Sequence, residues 1–130
     1  MSQREVDIVR EVYAGWSRGD LAAEVECFDR YVLLVQRPGF PDPGPYLGPQ
    51  AIRGYMRNQF ADFDDARITG EEFIDAGDTV VVMVRQTAAG AGTDLPAELS
   101  YHQVWTLRAG SVLRIESIME RDEALAAAGL

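Results

Sequence analysis

Between Arg67 and Met119 the chain alternates apolar and polar residues in four successive runs: Arg67 to Ala76, Thr79 to Ala88, Glu98 to Leu107 and Ser111 to Met119. A period of two bounded by turn residues is the pattern of a β-strand with one buried face. Gly77-Asp78 and Ala109-Gly110 suit tight hairpin turns, and a longer glycine-containing loop joins the middle pair. Four strands linked in this way predict an antiparallel meander, one face of which has to be covered by the remainder of the chain.

The covering elements are predicted before and after the meander. From Ser2 to Arg18, Val9, Val12, Tyr13 and Trp16 fall at i, i+3, i+4 and i+7, and Ser2 with Glu5 has capping-box spacing, so this stretch reads as a helix. Gly19-Asp20 stops it, and Asp20 is placed to cap a second short helix with Leu21, Val25 and Phe28 on its buried side, giving a helical hairpin. Tyr31 to Arg37 reads as a first strand. The segment Pro38 to Pro49 holds five of the six prolines and reads as a stiff loop, either a connector or a pocket rim. Pro49 opens a further helix carrying Ile52, Tyr55, Met56, Phe60 and Phe63, and an alanine-rich helix closes the chain after Glu120.

At 130 residues the chain is expected to form one domain, 1–130, with room for one core and one pocket. Its net charge of −9 would repel a phosphate backbone or an anionic membrane surface, so neither nucleic acid nor membrane is an expected partner. Met1 to Glu5 runs into the helical pattern without the segments of a secretory signal, which makes a cytoplasmic location the expectation. Cys27, the one cysteine, reads as a buried helix-core residue, and with His102 it cannot make up a structural zinc set. Thr79 to Val84 is apolar at both parities, so something must cover both faces of that strand. With helices on one face, a twofold homodimer is expected on the other.

Three motifs fail on their chemistry. Gly90-Ala91-Gly92-Thr93-Asp94-Leu95 lacks the third glycine of a dinucleotide fingerprint and joins two strands, which makes it a hairpin loop. Asp62, Asp64 and Asp65 lack calcium-loop spacing. His102 is the single histidine, so any Ser/His/Asp arrangement would need partners of unknown position.

The helix end Trp16-Ser17-Arg18-Gly19-Asp20-Leu21, the stretches Tyr46-Leu47-Gly48-Pro49-Gln50-Ala51-Ile52 and Phe73-Ile74-Asp75-Ala76-Gly77-Asp78, and the segment from Val104 to the C-terminus together resemble the SnoaL-like branch of the nuclear transport factor 2-like superfamily. The resemblance implies an α+β, cone-shaped fold in which a curved, mainly antiparallel sheet wraps around three helices. It also implies an apolar pocket in the open end of the cone, common homodimers and no cofactor. The three ketosteroid isomerase roles would fall on Val12, Gln36 and Gln103, none of which can perform them. The limonene epoxide hydrolase positions would fall on Thr87, Arg85 and Ser117, with Leu34 and Gln36 in the water-holding places, so that only an arginine is retained.

The inner face of the cone is then expected to carry Gln36, Arg85, Gln103 and Ser117 among Trp16, Tyr55, Leu99, Tyr101, Trp105, Ile115 and Met119. An apolar cavity with a few convergent polar groups suits a small apolar or aromatic ligand. Arg85 is the candidate catalytic residue, as a guanidinium facing a developing oxyanion. A bulge near Gln103 or in the last strand would instead turn His102 and Glu116 inward as base and acid. Two classes of function stay open: a ligand binder or dimeric scaffold without an assignable reaction, and a cofactor-free enzyme of the cyclase, isomerase, epoxide hydrolase or dehydratase type.

Overall fold

The computed structural model describes residues 2–40, 42–90 and 93–130, with the side chains of residues 2 and 93–97 outside that description. In chain order the elements are α1 (Ser2–Ser17), β1 (Phe28–Gln36), β2 (Tyr46–Leu47), α2 (Pro49–Gln59), β3 (Asp65–Asp75), β4 (Thr79–Gly90), β5 (Thr93–Arg108), β6 (Ser111–Ile118) and α3 (Arg121–Ala127). The strands form one six-stranded sheet in the order β2-β1-β6-β5-β4-β3. The meander β3 to β6 is antiparallel throughout, as the alternation predicts. β1 adds to it in parallel beside β6, through pairs such as Leu34 with Ile115 and Gln36 with Ser117.

Register irregularities at Gly70/Glu72 in β3, at Leu113 in β6 opposite Thr106/Leu107, and at Phe28/Leu33 in β1 bend the strands, so the sheet curves around α1 and α2. The last hairpin turns in two residues, Ala109 at φ 50° and Gly110 at φ 83°, the left-handed pair that matches strand twist. The α1 stripe is buried as its spacing predicts, with Val9, Val12, Tyr13 and Trp16 all in the core. Ser2, the predicted cap, has its side chain outside the description.

Four expectations are corrected. No helix forms over 20–27, because the end of this segment is drawn into the sheet: Val112 N–H donates to the Cys27 carbonyl at 2.7 Å and Phe28 pairs with Val112. A seven-residue helix would gain too little to compete with those bonds. Cys27 therefore lies half-buried at a strand entrance, where burial pushes its thiol pKa up. The Pro38 to Pro49 loop is tied to β1, with Gly48 N–H on the Val32 carbonyl at 2.7 Å, and it contains β2. Strand β5 begins at Thr93 and pairs it with Gly90, so most of the expected loop there is sheet, while Ala91 and Gly92 lie outside the described residues.

The fourth correction concerns the second face of β4. Val80, Val82 and Val84 point into the main core, whereas Val81 joins Val104, Ile118 and Ala124 in a separate cluster flanked by Leu125 and Ala128. Helix α3 folds back over the outer face of the sheet and covers Val81, so helices lie on both faces and not on one alone. No helix among the described residues is long and apolar enough to cross a membrane.

Candidate functional site

The inner face follows from strand parity. In β5, Tyr101, Gln103, Trp105 and the partly buried Leu99 point towards the helices, as do Ile115 and Ser117 in β6 and Leu34 and Gln36 in β1. Opposite them stand Tyr13 and Trp16 of α1 and Ile52, Tyr55 and Met56 of α2. Polar groups buried among these side chains must find partners within the protein. They do so as three tyrosine–glutamine pairs.

Tyr13 donates its hydroxyl proton to Gln103 Oε1 and accepts the Trp105 indole N–H at 2.9 Å, while Gln103 Nε2 donates to Ser117 Oγ at 3.1 Å. The Tyr101 hydroxyl donates to Gln86 Oε1 at 3.0 Å. Gln36 Nε2 donates both to the Asp42 carbonyl, at 2.8 Å, and to the Tyr55 hydroxyl, at 3.0 Å. Desolvation raises all three phenol pKa values, that of Tyr13 well above the usual tyrosine range, so each stays a neutral donor at physiological pH.

The first pair is closed at every polar atom, since the Tyr13 oxygen and both polar atoms of Gln103 have partners. The other two are not. No acceptor for the Tyr55 hydroxyl proton or for the Gln86 amide N–H groups lies among the described residues, and both side chains line the hollow at the centre of the cone. That hollow is walled by apolar groups including Leu34, Ile68, Phe60 and Ile115, and its free volume is about 20 Å³, room for one water. Trp16, Ile52 and Met56 separate it from an outer chamber of about 120 Å³ beneath residues 21–28. Phe40 of the proline-rich loop packs edge-on against Tyr101 at 5.3 Å.

Of the expected site residues, Trp16, Gln36, Tyr55, Tyr101, Gln103 and Ile115 line the hollow. Trp105 and Ser117 are buried just behind it in the Tyr13 network. Leu99 lies in a neighbouring recess with Gln86 and Phe60, and Met119 packs at the core edge beside Gly39. Arg85 is a correction. It is exposed on the outer face, with Nε on Glu98 at 3.0 Å and Nη1 4.0 Å from Glu71. Pairing of Val82 with Gln103 and of Val84 with Tyr101 sets the even-numbered residues of β4 inward, which places Gln86 where an arginine was expected.

His102 and Glu116 also stay on the outer face: the irregularity opposite Thr106/Leu107 puts its extra residue, Leu113, in β6, so that Ile115 and Ser117 face the helices and Glu116 does not, and Gln103 stays paired with Ser117. Glu116 pairs with Arg37 at 2.9 Å and Arg114 at 3.9 Å. His102 is buried, with Nδ1 3.2 Å from the Met119 carbonyl. No group of three or more His, Cys, Asp or Glu among the described residues is placed to hold a metal ion.

None of the curated proteins matches the chain. Solved structures match it over nearly its full length. TerC, co-crystallised with polyporic acid, is similar with a TM-score of 0.75 at 22% identity, over 98% of this chain and 99% of that one. A nuclear transport factor 2-like protein from Burkholderia thailandensis E264 superposes with a TM-score of 0.75 at 26% identity, over 96% of both chains. Bal32a, from a soil-derived mobile gene cassette, gives a TM-score of 0.78 at 18% identity over 95% of each chain. The likeness to TerC and Bal32a carries the fold alone. The family model of the SnoaL-like domain matches residues 9–115, and with the cone and its inward-facing strands in place the chain belongs to the SnoaL-like domain family.

Proposed function

We propose that the protein binds a small, mostly apolar molecule in the hollow of the cone and grips one acceptor oxygen of that molecule, a carbonyl or phenol oxygen, with Tyr55 and Gln86. The observation that carries this reading is the unspent donor capacity of those two half-buried side chains in a mostly apolar lining that also holds Gln36, Tyr101 and Gln103. Donors facing such a hollow gain from an acceptor, and a ligand oxygen would supply one. The hollow as it stands holds no more than a water. Swinging the flexible Met56 side chain aside would join it to the outer chamber and make room.

Among the described residues, no carboxylate, imidazole, ammonium or guanidinium lines the hollow. The ligand is therefore neutral where it meets the protein, since an unpaired charge would be stranded there. Phenols with raised pKa values stay neutral, so they keep a proton to donate and offer no phenolate to act as a base, which favours holding a ligand over abstracting a proton from it.

A thermal-shift and calorimetric screen of neutral aromatic polyketides, terpenoids, fatty acids and polyporic acid tests the reading; polyporic acid is included because TerC was crystallised with it. A carbonyl-bearing ligand should raise the melting temperature and come back chemically unchanged by mass spectrometry. Tyr55→Phe and Gln86→Leu should each weaken its binding about five- to tenfold, the worth of one hydrogen bond of roughly 1 kcal/mol. Binding that ignores both substitutions, or conversion of the bound molecule to a product, would overturn it.

A further inference from the structure

We infer that residues 20–27 form a lid over the way into the hollow and that Arg53 is its latch. The inference rests on the reading of the cone as a ligand site. Its geometry is that of a wall with open space on both sides. Beneath the segment lies the outer chamber walled by Trp16, Leu21, Phe28, Ile52 and Met56, and above it lies a surface groove of about 560 Å³ that runs along α1. Residues 23–26 and Trp16 line both. A segment held to the core only by Leu21 and Val25, with open space on both sides of residues 23–26, has little dispersion energy to hold it in place.

Its backbone is equally free. The N–H groups of Leu21 and Phe28 bond only locally, to the carbonyls of Gly19 and Val25. Among the described residues, one hydrogen bond ties residues 21–26 to another element: Arg53 of α2 donates Nε to the Ala22 carbonyl. The same guanidinium places Nη1 3.7 Å from Glu24 Oε1. The two ends of the segment differ in a way that suits a hinged flap. Gly19 has φ +94°, a conformation open to glycine at no steric cost, whereas Cys27 and Phe28 are fixed by pairing with Val112.

Lifting residues 21–26 withdraws Leu21, the one buried side chain among them, and uncovers the chamber whose back wall of Trp16, Ile52 and Met56 is also the front wall of the hollow. Arg53 thus controls access without touching the hollow itself, because it lines the chamber and not the deeper space.

Hydrogen exchange read by mass spectrometry on the ligand-free protein tests the lid separately from any ligand. In Arg53→Ala, amides of residues 21–26 should exchange at least fivefold faster than in the parent while those of β4 and β5 keep their rates. Native-state cleavage after Glu24 and Glu26 by a glutamate-specific protease should accelerate in step, and Arg53→Lys, which retains a donor, should restore part of the protection. Quenching of tryptophan fluorescence by acrylamide, a small neutral probe, should rise at least twofold as the Trp16 wall becomes reachable. Unchanged exchange over 21–26, an equal rise throughout the sheet, or faster exchange with no gain in quenching would each overturn the lid. A failed ligand screen with this exchange pattern intact would instead count against the binding reading alone.

Discussion

The indole N–H of Trp105, near the C-terminal end of β5, donates to the Tyr13 hydroxyl of α1 at 2.9 Å, and the same hydroxyl donates to Gln103. Residues about ninety positions apart are thereby joined by directional bonds in a region where all three side chains are buried. The two rings also pack, with centroids 5.5 Å apart. Hydrogen bonds of this kind add little when compared with water, but losing one partner leaves the others stranded.

Tyr13→Phe keeps the ring packing and orphans both the Trp105 donor and the Gln103 acceptor. The expected loss is about 2–4 kcal/mol, or roughly 10 °C in Tm for a chain of this size. Urea denaturation would measure it. The double variant Tyr13→Phe/Trp105→Phe should fall short of the sum of the two single losses, because the second substitution removes a donor that was already orphaned.

Arg85→Ala should leave ligand binding untouched and change stability by no more than about 0.5 kcal/mol. Its partners Glu98 and Glu71 are as exposed as it is, so the ion pairs are screened. Calorimetry with any ligand found for the hollow checks the first part, and a large drop in affinity would mean that the strand register is wrong.

That register marks the limit of what the chain discloses by itself. Spacing in α1 was legible because one helix face is apolar and the other is not, and the meander was legible from its turns. In β4 the run Val80 to Val84 is apolar on both faces, so nothing local says which parity faces the helices. The answer lies in cross-strand pairing with Tyr101 and Gln103, a non-local fact. Hence the sequence alone puts Arg85 inside and gives no sign of Gln86, which lines the hollow. The parallel docking of β1 on β6 and the loss of helix over 20–27 share one cause: Phe28 pairs with Val112, 84 positions away. Tyr13 was recognised as core, but its bonding to Gln103 needed the fold to bring the two together.

Val81→Asp should cost more than about 3 kcal/mol, although its neighbours in the chain tolerate far more on the same face. Val81 is 1% exposed beneath α3, in contact with Val104, Ile118 and Ala124, whereas Arg85, four residues on and facing the same way, is exposed. A carboxylate at position 81 would either stay buried without a partner or displace α3. Faster amide exchange over Arg121–Ala127, with the cone interior unaffected, would show that the helix has lifted; a stability loss as small as that of Arg85→Ala would disprove the docking.

Alkaline pH should unfold the protein through its phenols. Tyr13, Tyr55 and Tyr101 have pKa values raised mainly by burial, so the folded state keeps their protons at a pH where the unfolded chain, with tyrosines near 10, has released them. Above pH 10 the folded state binds more protons than the unfolded one, and stability falls as pH rises. Below pH 10 the contribution of these groups is fully present. Each tyrosine that stays protonated removes about 1.4 kcal/mol per pH unit, so three together give a slope of roughly 4 kcal/mol per unit. Phenolate absorbance near 295 nm and far-ultraviolet circular dichroism, recorded between pH 9 and 12.5, should show the late-titrating phenols appearing together with the loss of secondary structure. Smooth ionisation of every tyrosine near pH 10 with the fold intact would contradict the burial of the three tyrosine–glutamine pairs.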